Sequence, residues 1–187
     1  VGPILLGRIN QMLVTALFGL FGLNYLFGTT FFILAVIAIL FLVFTFFVLR
    51  ERATDFSQIK LYRWIDPYFN LLWKFELTEV FHVFGLSVFR YITFSLQFFI
   101  MLNLFIPDIS HYLKFAGVTW VFLAKSVLPS FNFLSDLGVR EFSAVLFFEH
   151  YKVPIEPILV ASLMIWAINI LVPTILSLPL VLKLKIK

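Results

Sequence analysis

The sequence predicts an all-α, polytopic membrane protein with about four full transmembrane helices, a re-entrant pair of half-helices and amphipathic helices at the interface. Three observations carry that expectation. Hydrophobic residues make up 62% of the 187 positions and charged residues 13%, against roughly half and a quarter in soluble domains. Uncharged runs of 41 residues, Ile9 to Leu49, and 25 residues, Ile158 to Leu182, reach or exceed the length of a span, which needs about 20 apolar residues. Between them lie two apolar stretches too short to span: ten residues from Phe115 to Ala124 and seven from Phe142 to Phe148.

Taken in order, the first run holds two spans with the break at Gly28-Thr29-Thr30, so residues 1–49 form a helix of about Pro3 to Phe27 and another from Phe31 to Leu49. Residues 50–79 mix Arg50, Arg52, Lys60, Arg63 and Lys74 with Glu51, Asp55, Asp66, Glu76 and Glu79. Leu61, Trp64, Ile65, Phe69, Leu72 and Trp73 give this segment an apolar face interrupted by Asp66-Pro67, the pattern of short helices lying among headgroups. Residues 80–107 form the next span, which carries His82 and Arg90, and Asp108 and His111 mark a turn. Residues 112–151 read as the re-entrant helical hairpin, followed by a proline-bounded polar loop from Glu149 to Pro157. Residues 158–182 form the last span, interrupted by Pro173 and Pro179.

Composition also excludes functions. The absence of cysteine removes disulfides, thiolate metal sites and Cys nucleophiles. The formal charge of +4 is no sign of nucleic-acid binding, because basic residues in a membrane protein report topology first. Five Lys and Arg lie in the segment from Arg50 and three in the C-terminal tail, whereas the connections at Gly28, Asp108 and Glu149 together hold only Lys152. The positive-inside rule therefore places the former two in the cytoplasm and the latter three outside. Four crossings satisfy this if the hairpin enters and leaves by the outer face. Two full spans would satisfy the charge count equally, and the shortness of the segments favours the hairpin. No basic region followed by a short apolar core and a small-residue cleavage site opens the sequence.

Ionisable residues at membrane depth are costly and mark functional candidates: Arg90, Lys125, Asp136, Arg140 and Glu141. With a non-helical turn from Pro129 to Glu141, Arg140 and Glu141 open the second half-helix, next to Gly138, with Ser135 or Asp136 capping its N–H groups. A helix N-terminus beside a guanidinium suits the phosphate of an anionic lipid. The other reading pairs Arg140 with Glu141, Asp136 or another acid and holds the hairpin shut. Lys125 either lines the same cavity or snorkels to an interface. Arg90 has a structural partner as its simpler reading. Glu79-x-x-His82 has a metal-ligand spacing without a second such pair, which favours capping or hydrogen bonding. No phosphate loop or nucleophile elbow appears, and neither an enzyme activity, a cofactor nor a metal is expected.

Pro129 followed by Leu137-Gly138-Val139-Arg140-Glu141, an apolar half-helix, a polar turn and a long last span resembles the membrane region of the lysylphosphatidylglycerol synthase and flippase family. The family pattern there is a proline, a polar stretch and Gly-Gly-Leu-Gly-x-Arg-Glu; Ser135-Asp136 replaces the two glycines. Gly7-Arg8-Ile9-Asn10-Gln11 resembles the family's Glu-Arg-Leu-x-Asp with the arginine kept and both acids missing. The resemblance implies that one or more helices the family normally carries ahead of Val1 are absent from this chain, as is the aminoacyl-transfer domain of some members, and that the chain binds or moves a polar lipid in a bacterial or archaeal inner membrane. That lipid would be an aminoacylated phosphatidylglycerol or an isoprenoid-linked sugar. An accessory subunit of a larger membrane complex, or an oligomer, is the competing reading, and a lipid-headgroup enzyme is a third that no constellation supports.

Overall fold

The computed structural model describes residues 2–51, 75–127 and 133–185. Among them every regular element is helical. They are α1 (Gly2–Phe27), α2 (Thr29–Glu51), α3 (Leu77–Phe105), α4 (His111–Val127), α5 (Phe133–His150) and α6 (Ile155–Trp166), with a π turn (Ala167–Leu171) leading into α7 (Val172–Lys185). The expected interfacial helices of 52–74 and the turn residues Pro129 to Asn132 lie outside the described residues. Among the described residues, three stretches are long and apolar enough to cross a membrane: Gly2–Phe27, Thr78–Phe105 and Ile155–Pro179. With 23 residues, α2 rises about 34 Å at 1.5 Å per residue.

The chain divides into two compact units, Val1–Ile92 and Thr93–Lys187, and α3 contributes its first half to one and its second half to the other. In the first, α1 and α2 pack as a hairpin. The reversal needs Gly28, whose φ of +80° is costly for any residue bearing a Cβ. Gly28 N–H donates to the Asn24 carbonyl, which satisfies one end of α1. The start of α3 carries one half of a capping box, in which the Glu79 carboxylate accepts from the Glu76 N–H at 3.0 Å, and Thr78 Oγ1 donates to Glu76 Oε2 beside it. His82 Nδ1 lies 3.3 Å from the Thr78 carbonyl. Glu79 and His82 thus make local helix contacts. The Tyr91 ring stacks on Phe18 of α1 with centroids 4.7 Å apart.

In the second unit α5 packs against both α4 and α6. The α4–α5 contact closes on Gly117: a Cβ there would overlap Phe148 Cζ and lie 2.7 Å from Phe148 Cε2 and 3.1 Å from Phe147 Cδ1. Both phenylalanines are fully buried, with Val118, Val121 and Ala144. Trp120 Nε1 donates across the same contact to the Ser143 carbonyl at 3.1 Å. Helix α5 ends in a Schellman turn: Val153 N–H donates to the Phe148 carbonyl and Lys152 N–H to that of Glu149. Lys152 occupies the left-handed position at φ 56°.

Two boundaries differ from expectation. Residues 133–141 are helical, so the non-helical turn does not extend to Glu141. No proline follows Pro129 until Pro154, and charge, which limits burial in lipid, does not prevent helix formation in a segment whose face is covered by protein. The loop expected from Glu149 to Pro157 shortens to 151–154, because α5 runs to His150 and α6 starts at Ile155 behind Pro154. Prolines 154 and 157 are accommodated there, since the first turn of a helix has no use for their missing N–H.

Candidate functional site

Arg140 is the eighth residue of α5, two turns inside the helix, and not in its opening turn. Its own N–H belongs to the helix interior, so the anion site built on free N–H groups at a helix terminus is not formed at this position. Adjacent residues on a helix point apart, yet the long side chains of Arg140 and Glu141 converge on one atom of α6. Arg140 Nη2 lies 2.9 Å and Nε 3.2 Å from Glu141 Oε1. Arg140 Nε also donates to Ser162 Oγ at 3.0 Å, and that hydroxyl donates to Glu141 Oε1 at 2.8 Å. The cluster is buried, the two charged side chains being 7% and 13% exposed and Ser162 fully covered.

Each part of this cluster has a physical reason. The carboxylate oxygen receives three donors, which offsets the desolvation that makes a buried ion costly. Ser162 serves as acceptor for one partner and donor to the other, which only a hydroxyl can do at that size. Glu141 Oε2 is buried and has no hydrogen-bond partner among the described residues, so the cluster retains one open acceptor.

The other expected site residues are dispersed. Gly138 is exposed on α5, and a Cβ built there would meet nothing within 4 Å; no close approach requires glycine at that position. Asp136 is in the opening turn of α5, and its side chain lies outside the described residues. Lys125 is half-buried in the last turn of α4, where a cation complements the negative end of the helix dipole. Arg90 belongs to the first unit and is exposed on α3. It lines a groove of about 360 Å³ together with Arg8, Gln11 and Ser87.

Sequence reasoning passed over three polar features. Ser162 sits in an uncharged spanning run, where the only signal is a small hydroxyl at helix-contact depth. Lys114 is completely buried at the start of α4 and donates to Asn103 Oδ1 at 2.8 Å and the Pro107 carbonyl at 3.1 Å; it ties the end of α3 to the next helix. Asn169, within the π turn, donates to Gln97 Oε1 at 2.9 Å. That turn precedes Pro173, whose missing N–H cannot serve the Asn169 carbonyl. The Val172 N–H reaches back five residues to Ala167, and Thr174 Oγ1 bonds the Ile170 carbonyl at 2.6 Å.

These features define a class: an all-helical membrane protein in which a hydrogen-bonded ion pair on α5 is buried against the apolar α6. No protein-family model, curated protein or solved structure matches the chain.

Proposed function

We propose that this protein binds or translocates a polar lipid across a bacterial or archaeal inner membrane, with four crossings and the α4–α5 pair as a re-entrant hairpin. The observation that carries the reading is the Arg140–Glu141–Ser162 cluster, buried where α5 meets the apolar α6, since ionisable groups within a membrane mark pathways for polar cargo. The open acceptor at Glu141 Oε2 supports it by offering a donor on a headgroup, an ammonium or a hydroxyl, a place in the cluster. The resemblance at Leu137-Gly138-Val139-Arg140-Glu141 supports the same cargo class. In the proposed orientation both termini of the chain and the segment from Arg50 to Glu79 face the cytoplasm. We assign the protein no enzymatic step.

A second reading, an accessory subunit in which the hairpin only packs, is favoured by one specific observation: Nε and Nη2 of Arg140 are both already engaged within the protein. Translocation separates the two. Reconstituted into vesicles with a fluorescent phosphatidylglycerol in both leaflets, the full-length protein is expected to expose inner-leaflet probe to an external quencher faster than protein-free vesicles. The Glu141→Gln variant, which leaves the Arg140 charge unpaired and is therefore assayed below its own unfolding transition, is expected to lose that activity. Vesicles indistinguishable from the protein-free control would refute the translocation reading.

A further inference from the structure

The groove between α1 and the first half of α3 lies wholly within the first unit, and two arginines, Arg8 and Arg90, line it. Its described lining residues include these two guanidiniums, with their several N–H donors, and the polar Gln11 and Ser87. Its volume, about 360 Å³, is at the lower end of the range of small-ligand sites, enough for a headgroup and not for acyl chains. The apolar part of its rim is open: Ile4 and Leu86 line it and are each 67% exposed. Both walls are helices long and apolar enough to cross a membrane, a setting in which an exposed apolar rim suits acyl chains. Arg90 stands at the midpoint of α3, whereas Arg8 stands in the second turn of α1.

We propose that this groove holds the phosphodiester of an anionic membrane phospholipid, with the guanidiniums of Arg8 and Arg90 on the phosphate and the acyl chains along Ile4 and Leu86. Guanidinium presents paired donors that match phosphate geometry, and the match strengthens where water is scarce. A free phosphate ion would use the arginines and leave the apolar rim uncovered; a lipid uses both. Gly7 keeps the groove open: it lines the wall, and a Cβ built there would meet no atom within 4 Å. A larger residue at that position therefore occupies ligand space without striking protein. The choice of ligand rests on the polar-lipid reading above, but the site is separate from the Arg140 cluster.

Native mass spectrometry of the full-length protein in detergent tests the site, with short-chain phosphatidylglycerol, short-chain phosphatidylcholine and inorganic phosphate as probes. Wild-type protein is expected to retain phosphatidylglycerol about tenfold or more over phosphatidylcholine. Arg8→Gln, Arg90→Gln and Gly7→Leu should each lower that retention about tenfold. Gly85→Leu, which adds the same bulk on α3 at a residue outside the groove lining with nothing within 4 Å of its Cβ, should leave it unchanged. Gly7→Leu carries the test if an arginine variant loses thermal stability, because it removes no interaction. Phosphatidylglycerol retained equally by wild type and Gly7→Leu would overturn the groove while leaving the lipid reading intact. A wild type that retains no lipid would overturn both, and inorganic phosphate retained as well as the lipid would show an ion site only.

Discussion

Replacing Arg140 by glutamine separates a structural ion pair from a lipid-binding arginine, and the geometry fixes what each predicts. In the folded protein Glu141 Oε1 accepts from Arg140 Nη2 at 2.9 Å, Arg140 Nε at 3.2 Å and Ser162 Oγ at 2.8 Å. Arg140→Gln removes the positive charge and the first two donors, and it leaves a carboxylate that is only 13% exposed with the Ser162 hydroxyl alone. Breaking one side of a buried pair costs about 3–5 kcal/mol, because the remaining charge stays desolvated. At about 2–4 °C per kcal/mol for a chain of this size, that is a fall in melting temperature of about 6–20 °C.

The double variant Arg140→Gln/Glu141→Gln leaves no unpaired charge. It should recover at least about 2 kcal/mol relative to Arg140→Gln, so the two substitutions are strongly non-additive. Ser162→Ala, which removes one acceptor and one donor but keeps the ion pair, should cost less, about 1–2 kcal/mol. Thermal unfolding in detergent, followed by circular dichroism on wild type, Arg140→Gln, Glu141→Gln and the double variant, measures the cycle, with Ser162→Ala compared in the same assay. An Arg140→Gln variant within about 1 kcal/mol of wild type, or a double variant no more stable than Arg140→Gln, would refute the reasoning. Such a result would imply that a bound molecule, and not Glu141, is the main partner of Arg140.

Three further predictions follow from single positions. Gly117→Ala forces a Cβ against two fully buried rings; an overpacking cost at the upper end of about 1–3 kcal/mol, less about 1 kcal/mol of helix propensity, gives a net loss of about 2 kcal/mol in thermal unfolding, whereas Gly85→Ala should not destabilise. Lys152→Gly relieves a left-handed residue at φ 56° and should stabilise the protein by about 1 kcal/mol in the same assay, a result that a favourable role for the lysine side chain would reverse. For orientation, the cysteine-free chain allows single Ser57→Cys and Asp108→Cys variants to be treated with an impermeant thiol reagent in intact spheroplasts, and only Asp108→Cys should react. Asp108 is the better outer probe than Ser110, because Ser110 Oγ accepts the Leu113 N–H at 3.2 Å and caps α4.

The helical class and the turn at Gly28 were legible because desolvation acts through composition and run length, and both are written along the chain. Segment ends were less legible where charge and helicity part company. The stretch Ser135 to Glu141 looks like a polar interruption on any scale of transfer to lipid, yet it continues α5 because Arg140 and Glu141 neutralise one another against α6. Counted by backbone, α4 and α5 have 17 and 18 residues, about 26 and 27 Å at 1.5 Å per residue. That is close to the roughly 30 Å hydrocarbon thickness, so the shortness of the apolar runs, and not that of the helices, is what distinguishes the proposed re-entrant hairpin from two full spans. A charged turn can therefore stay helical and buried when a neighbouring helix supplies its partners, and the partner here, Ser162, carries no signature in a one-dimensional reading. Pro173 behaves in the opposite way. Its position announced an interruption, but only the fold reveals that the helix answers with a π turn, which carries the residue that bonds Gln97. In both cases the polar residues lie where one helix meets another, so the interhelical contacts, and not the apolar runs, decide which buried polar side chains find partners.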